Sequence, residues 1–343
     1  MQKILHLQNK TRSERAGTSM KVPARPFKKK PAGYGGDGLK TYIAKSLLQV
    51  IPVLLIVSLI VFILVRVTGD PVALMLPETA TAEDRAVLTQ ALGLDQPLYA
   101  QYIKFIGSAL QGDFGTSFRY GESALPLVLE RLPASFELAV AAMFFAVIIA
   151  VPLGVISAVK RNTFTDLIIS SLSVVGKAMP NFWMGIMLIL LFSVMLGMLP
   201  VSGRGGMEHL ILPAFTLGVG LSAQMTRLIR SSMLDILNQD YIRTARSKGI
   251  LEIVVIGKHA FRNGLIPVVT IMSLQFTSLI GGTLITETVF AWPGLGQLLV
   301  VAVNTHDMAI VQAAVFVIAF IVVISNILTD VVYRLLDPRI KYN

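Results

Sequence analysis

Six stretches of the chain are apolar and long enough to cross a bilayer, and polar segments of unequal length separate them. They run from Tyr42 to Val67, Pro133 to Val159, Phe164 to Leu199, Leu210 to Thr226, Leu265 to Phe290 and Ile310 to Val332. About 20 predominantly apolar residues suffice for one crossing, because roughly 30 Å of hydrocarbon is traversed at ~1.5 Å per residue. The third stretch is too long for a single straight helix. Pro180 is expected to divide it, since proline removes a helical hydrogen bond and clashes with the preceding turn.

The polar segments differ in kind. Val72 to Leu132 is mixed and amphipathic, with no window apolar enough to span, and predicts a folded extracytoplasmic insertion of short helices and turns. It reads either as a lid for a partner protein or as a packed structural cap. Residues 227–267 carry Arg227, Arg230, Asp240, Arg243, Arg246, Lys248, Glu252, Lys258 and Arg262. Each such charge near a bilayer centre costs several kcal/mol, so this segment is predicted to be a solvent-facing loop. Within it Asp240 is a candidate N-cap and Gly249 a helix stop, which predicts a short helix over Tyr241 to Lys248. Tyr241, Ala245 and Gly249 then share one small-residue face, suited to a partner's groove, while Arg243 and Arg246 turn away.

Basic residues set the orientation. Lys40 and Lys45 precede the first span, Lys160-Arg161 follows the second, and Arg334 follows the sixth, whereas the turns at Leu199–Gly203 and Trp292–Gly296 hold few cations. The positive-inside bias therefore predicts six spans with both termini cytoplasmic. Residues 1–38, broken by prolines and glycines and carrying Lys28, Lys29 and Lys30, are expected to be a disordered basic tail able to touch anionic membrane lipid.

Composition narrows the function. At 54% hydrophobic and 15% charged residues, the chain reads as an all-α polytopic membrane protein. The absence of cysteine excludes disulfides and thiolate chemistry. The net charge of +10 is accounted for by cytoplasmic loops and the tail, without nucleic acid. Gly176-Lys177 and Gly257-Lys258 lack the remainder of a phosphate-binding loop, so no ATP site is expected on this chain. His6, His209, His259 and His306 fall in the tail and loops and form neither a zinc nor a nucleophile pattern; no cofactor and no catalytic residue is expected.

Polar residues inside apolar stretches are costly and invite a use. Glu287 in the fifth stretch reads either as part of a translocation path or gate, or as a structural hydrogen-bonding group. Lys177 beside Pro180 is placed either to attract a solute carboxylate or to pair with an acid on a partner subunit. Gln275 is a further path candidate, although single amides in membrane helices more often bond between helices. Arg227 and Arg230, one turn apart, read as membrane-edge anchors.

The loop sequence DYIRTARSKG followed by KHAFRNGLIP resembles the cytoplasmic signature loop of ABC-importer permeases, in the form found in the B-type subunit of dipeptide and oligopeptide permeases. Gly69-Asp70-Pro71, Leu92 to Leu98, Gly112 to Ser117, Met179 to Trp183, Glu287 and Asp337 to Tyr342 also match that family, so the resemblance covers nearly everything from Leu39 to Tyr342. The departure from the broad importer motif at His259, Ala260, Phe261 and Arg262, with Pro267 arriving later, is one the peptide-permease subfamily shares. Lys177 is less typical of the family.

The resemblance implies a type I ABC-importer permease fold over 39–343 and transport of dipeptides, oligopeptides or a similar small solute across the bacterial inner membrane. Glutathione, nickel chelates and opines are alternatives within the same architecture. It implies a homologous C-type permease, two ATPase subunits that hold the ATP and Mg, and an extracytoplasmic substrate-binding protein. It places Tyr241, Arg243, Thr244, Ala245, Arg246 and Gly249 on the coupling helix that meets an ATPase. A secondary transporter is a remoter reading, since it would need a coupling carboxylate near the midplane.

Overall fold

The computed structural model describes residues 37–68, 72, 76, 79–91 and 93–336, in two compact units that divide between Tyr42 and Ile43. Residues 1–36 of the basic tail, Gly69-Asp70-Pro71, Leu92 and Asp337 to Tyr342 lie outside the described residues, and the last two tail residues, 37 and 38, are helical. Among the described residues the secondary structure is helical, apart from one isolated bridge between Thr116 and Ser123.

Helix α1 spans Asp37–Thr68. Two short helices follow, α2 (Ala82–Ala91) and α3 (Leu98–Leu110), the first opened by reciprocal bonds between Thr81 and Asp84 that cap its free amides. Helix α4 runs over Ala124–Val159, so it begins nine residues before Pro133, where the apolar stretch suggested a start. The extension forms because Ala124 and Val128, both 0% exposed, are packed into a second core with residues of the chain's last two helices. Burial, not membrane length, sets that boundary.

Helices α5 (Phe164–Ala178) and α6 (Asn181–Met195) meet at 102°. Met179 and Pro180 between them are extended, at ψ 128° and 135°. Proline's Cδ drives the preceding residue out of the helical region, so the predicted division at Pro180 is sharp. Residues Ile189–Met195 of α6 wind as a π-helix, which the apolar pattern did not announce.

Helix α7 (Met207–Leu237) continues well past the apolar stretch and carries Arg227 and Arg230 on helix rather than loop. Then come α8 (Asp240–Ser247), α9 (Glu252–Gly264), α10 (Ile266–Gly282), α11 (Leu284–Val289), α12 (Leu295–Asn304) and α13 (Met308–Leu336). The charged 227–267 segment is thus mostly helical, and the fifth apolar stretch is two helices broken at Thr283. By length and apolarity, α4 and the Met308–Val332 part of α13 each reach membrane-spanning size, and the bent pairs α5–α6 and α9–α10 raise the number to four.

The α4–α7 pair is the centre of the fold. Leu138, Ala142, Ala146, Ala150, Gly154 and Ala158 recur every fourth residue on α4, and all are buried. That spacing makes one helical stripe, and small side chains on it let the α7 backbone come close. At Gly154 an added Cβ would lie 2.6 Å from the Ile229 Cβ, so only hydrogen fits there. In the most apolar window of α4 only 33% of residues are buried within the chain. The remainder must be covered by lipid or by other subunits.

The insertion is packed down rather than free. Phe62, Phe105, Phe114 and Phe316 form a continuous run of ring contacts from α1 through α3 to α13. The Ser117 hydroxyl donates to the buried Asp307 carboxylate. These contacts pack the described part of the segment against the bundle.

Candidate functional site

Helix α8 starts at Asp240, with Gln239 in the N-cap position and no side-chain capping bond; Asp240 lies inside the first turn instead of capping it. Its end follows the sequence more closely. Gly249 adopts φ +72°, its amide bonds the Arg246 carbonyl at 2.9 Å, and the Ile250 amide bonds the Ala245 carbonyl at 3.4 Å. That is the paired bonding of a left-handed helix stop, which a side chain at Gly249 would strain.

The packing corrects the face expected to dock. Ile242 (0% exposed) and Ala245 (7%) point into the chain's own core, beside Val255 and Ala260 of α9. Ala245 therefore holds α8 down and is not presented to a partner. Two further ties fix the helix on α9. Arg246 makes a bidentate ion pair with Glu252, at 2.6 and 3.1 Å, and the Tyr241 hydroxyl accepts a bond from Asn263 at 3.2 Å. The Arg246 guanidinium beside it holds the Glu252 carboxyl below its ordinary value. The side left outward carries Arg243, Thr244, Ser247 and Lys248, with the edge of Tyr241. This is a rigidly mounted basic and hydroxyl-bearing surface.

Glu287 lies elsewhere, on α11, and is 0% exposed. One carboxylate oxygen accepts the Ser135 and Thr283 hydroxyls at 2.7 and 2.8 Å. The other accepts the backbone amides of Gly296 and Gln297 at 2.7 and 3.1 Å. Those amides are among the unpaired donors of the first turn of α12, whose N-cap, Gly294, has no side chain to bond them. Glu287 is therefore the cap of α12, supplied from a distance and favoured by the helix dipole. With every lone-pair direction engaged and no exposure, the carboxylate lines no cavity in this arrangement and has the bonding of the structural alternative. Trp292, donating its indole N–H to the Ala134 carbonyl at 2.8 Å, closes the same corner.

Lys177 and the helix that carries Gln275 border one cavity, although Gln275 itself is not among its lining residues. Lys177 sits at the end of α5, just before the 102° break, and is exposed. It borders a cavity of about 180 Å³ together with Asn181 of α6, Gly220 and Leu221 of α7, and Ser278, Leu279 and Gly282 of α10. Gln275 precedes Ser278 and Leu279 by three and four residues, so it lies on the same face of α10, one turn away. It is 7% exposed, and neither end of its amide is bonded within the described residues. A buried amide left so costs about 1–3 kcal/mol per unpaired group.

One polar pair was missed by sequence reasoning. Arg230 donates through Nε and Nη2 to Asp166, both at 2.7 Å, and Asp166 also accepts the Ser157 hydroxyl and the Asn162 amide. Arg230 thus locks α7 to the start of α5 instead of serving as a free anchor. The 64-residue separation hides such a pair, although an aspartate three residues into an apolar stretch calls for a partner.

Two protein-family models match the chain. The model described as binding-protein-dependent transport system inner membrane component matches residues 150–342, and one for the N-terminal part of such membrane components matches residues 39–139. The oligopeptide transport system permease protein AppB of Bacillus subtilis (strain 168) is 40% identical over 316 residues, covering 89% of this chain and 100% of the relative. The glutathione transport system permease protein GsiC of Escherichia coli (strain K12) is 42% identical over 302 residues, covering 88% and 99%. Among solved structures, an inward-facing MetNI methionine ABC transporter matches with a TM-score of 0.52 at 19% identity, over 62% of this chain and 96% of that one. At that identity the likeness speaks for the fold.

Proposed function

This chain belongs to the family of binding-protein-dependent transport system inner membrane components, and on that premise we propose that it is the permease of an ATP-driven importer for peptides or a similar small solute. It is a multi-pass inner-membrane protein and not itself an enzyme. The similarity to AppB and GsiC over almost their entire lengths supports an oligopeptide or glutathione-like solute. The topology in this reading has six spans and cytoplasmic termini, with 39–343 as the permease domain, 72–132 as its extracytoplasmic insertion and 227–267 as the coupling region. A second, homologous permease completes the pore. Two ATPases hold the ATP and Mg, and a binding protein delivers the solute from outside.

The observation that carries the mechanism is the mounting of α8. A helix that transmits force must not rotate against its own subunit, and α8 is held by Ile242, Ala245, the Arg246–Glu252 pair and the Tyr241–Asn263 bond. Its outward residues, Arg243, Thr244 and Lys248, are free to meet an ATPase. Closure of the ATPases then moves α8, α9 and α7 together, and rigid-body motion of the spans exposes the path alternately to either side. Arg246 and Ala245 serve by holding the helix, and Gly249 by ending it.

The test is to tag the C-terminus, extract the protein gently and identify what co-purifies, for the native chain and for Arg243→Glu. A second permease and ATPases are expected with the native chain. The charge reversal is expected to lose the ATPases while keeping the permease partner. Retention of ATPases by Arg243→Glu together with Lys248→Glu would remove α8 as the contact, and absence of any ATPase from the crosslinked native chain would remove the importer reading.

A further inference from the structure

The cavity at the α5–α6 break holds a cation where a membrane protein can least afford one. Lys177 lies about 20 Å of helix beyond Phe164 at ~1.5 Å per residue, well into a bilayer about 30 Å thick if α5 starts at the cytoplasmic edge. A charge at that depth faces protein or water, not lipid. Among the described residues it makes no ion pair: the carboxylates that do pair are committed to Arg204, His209, Arg230, Arg243 and Arg246. The cavity lining is mixed: Met179, Leu217, Leu221 and Leu279 make an apolar wall, Asn181 brings an amide beside Lys177, and Gly176, Gly220 and Gly282 add no side chains. A Cβ built at Gly282 would meet nothing within 4 Å, so this side of α10 opens onto space. The cavity, at about 180 Å³, far exceeds the ~10–15 Å³ that one water needs.

We propose that Lys177, with Asn181 and Ser278 beside it and the unbonded Gln275 amide one turn along α10, forms a subsite for the carboxylate of the transported solute. The inference rests on the importer reading above and deepens it by assigning the solute's carboxylate to named residues of this chain. A lysine ammonium is a compact charge with three rotatable donors, suited to a carboxylate that must be held briefly and released. The Asn181 amide donates to a remaining lone pair, while the Ser278 hydroxyl, already donating to the Leu274 carbonyl at 3.2 Å, lines the cavity without a free proton. Gln275 offers an amide to the peptide group next to the carboxylate. The subsite sits against the α5–α6 break and the α7 and α10 faces, so a rigid-body movement of these helices changes its shape. Binding there is coupled to the alternation of access.

The experiment uses the complete importer, reconstituted with its partner subunits and binding protein in liposomes loaded with ATP, and radiolabelled tri-alanine and glutathione as probes. The native importer is expected to take up at least one of them with ATP. Lys177→Ala is expected to lower that uptake by about tenfold or more, the scale of one lost charge-assisted hydrogen bond, and Lys177→Arg to restore most of it. Gly282→Leu, which the open space accommodates, is expected to assemble and to slow uptake by filling the cavity. Absence of ATP-dependent uptake of both probes by the native importer overturns the subsite, and the importer reading falls with it only if the co-purification above also finds no ATPase. Uptake unchanged in Lys177→Ala overturns the subsite alone and leaves the importer standing. If Lys177→Ala fails to assemble, zero-length carbodiimide crosslinking of the native complex decides: labelled peptide joined to the Lys177 amine supports the subsite, and an aspartate or glutamate of another subunit joined there overturns it.

Discussion

Glu287 and Lys177 are both charged residues within or beside apolar stretches, yet their surroundings give them opposite roles. Glu287 is enclosed by four donors and terminates a helix; Lys177 is exposed at a cavity and pairs with no carboxylate among the described residues. Glu287→Gln keeps the volume but turns half of the acceptor into a donor, which would face amides or hydroxyls already donating. It should destabilise the protein by about 1–3 kcal/mol. A lowered midpoint of thermal unfolding in detergent, read from the fluorescence of Trp292 in a Trp183→Phe background, checks this. A midpoint equal to that of the native chain, with transport lost, would return Glu287 to the path. At this scale sequence reasoning singled out Glu287 and Lys177, left two readings open for each and overlooked Asp166, because a lone acid reads alike whether it meets a solute, an amide or a distant arginine.

At the scale of elements, α4 against α7 and α8 against α9 carry different loads. The first is a long close contact between small residues. Gly154→Leu would drive four carbons into Ile229 and the Thr226 carbonyl, and overpacking of this kind costs about 1–3 kcal/mol or more. The expected outcome is a protein that still inserts, since apolarity is unchanged, but is cleaved faster by protease in detergent. The second contact is partly electrostatic. Because Arg246 lowers the Glu252 pKa from 4.5, the stabilisation is complete above that value and fades as pH falls through the depressed one. Amide exchange across 240–252, normalised for intrinsic exchange and followed from pH 7 downward through the acid range below 4.5, should show α8 loosening as Glu252 protonates. Arg246→Ala should exchange fast throughout, and an unchanged profile would show that packing alone mounts the helix. The position of α8 and its glycine stop were legible because capping and spacing are local; its inward face was not, since Ile242 and Ala245 are buried only once α9 folds back on them.

For the whole molecule, the absence of cysteine makes the proposed topology directly measurable. Ser247→Cys on α8 is expected to react with a membrane-impermeant maleimide only in inverted vesicles, and Ser202→Cys, in the turn before α7, only in intact spheroplasts. Reaction of both from one side would overturn the six-span arrangement. Local pattern placed the apolar stretches, the division at Pro180 and the charged 227–267 segment, because these depend on composition and on spacing within a few turns of helix, and the resemblance of several separated motifs pointed to the family. Only the tertiary structure decided that α4 extends outward to Ala124, that Glu287 caps α12, that Arg230 is held by Asp166, and that Lys177 and the Gln275 face of α10 flank one cavity. Those outcomes turn on which distant segments meet, and a hydrophobic period specifies that a face is buried without specifying what covers it.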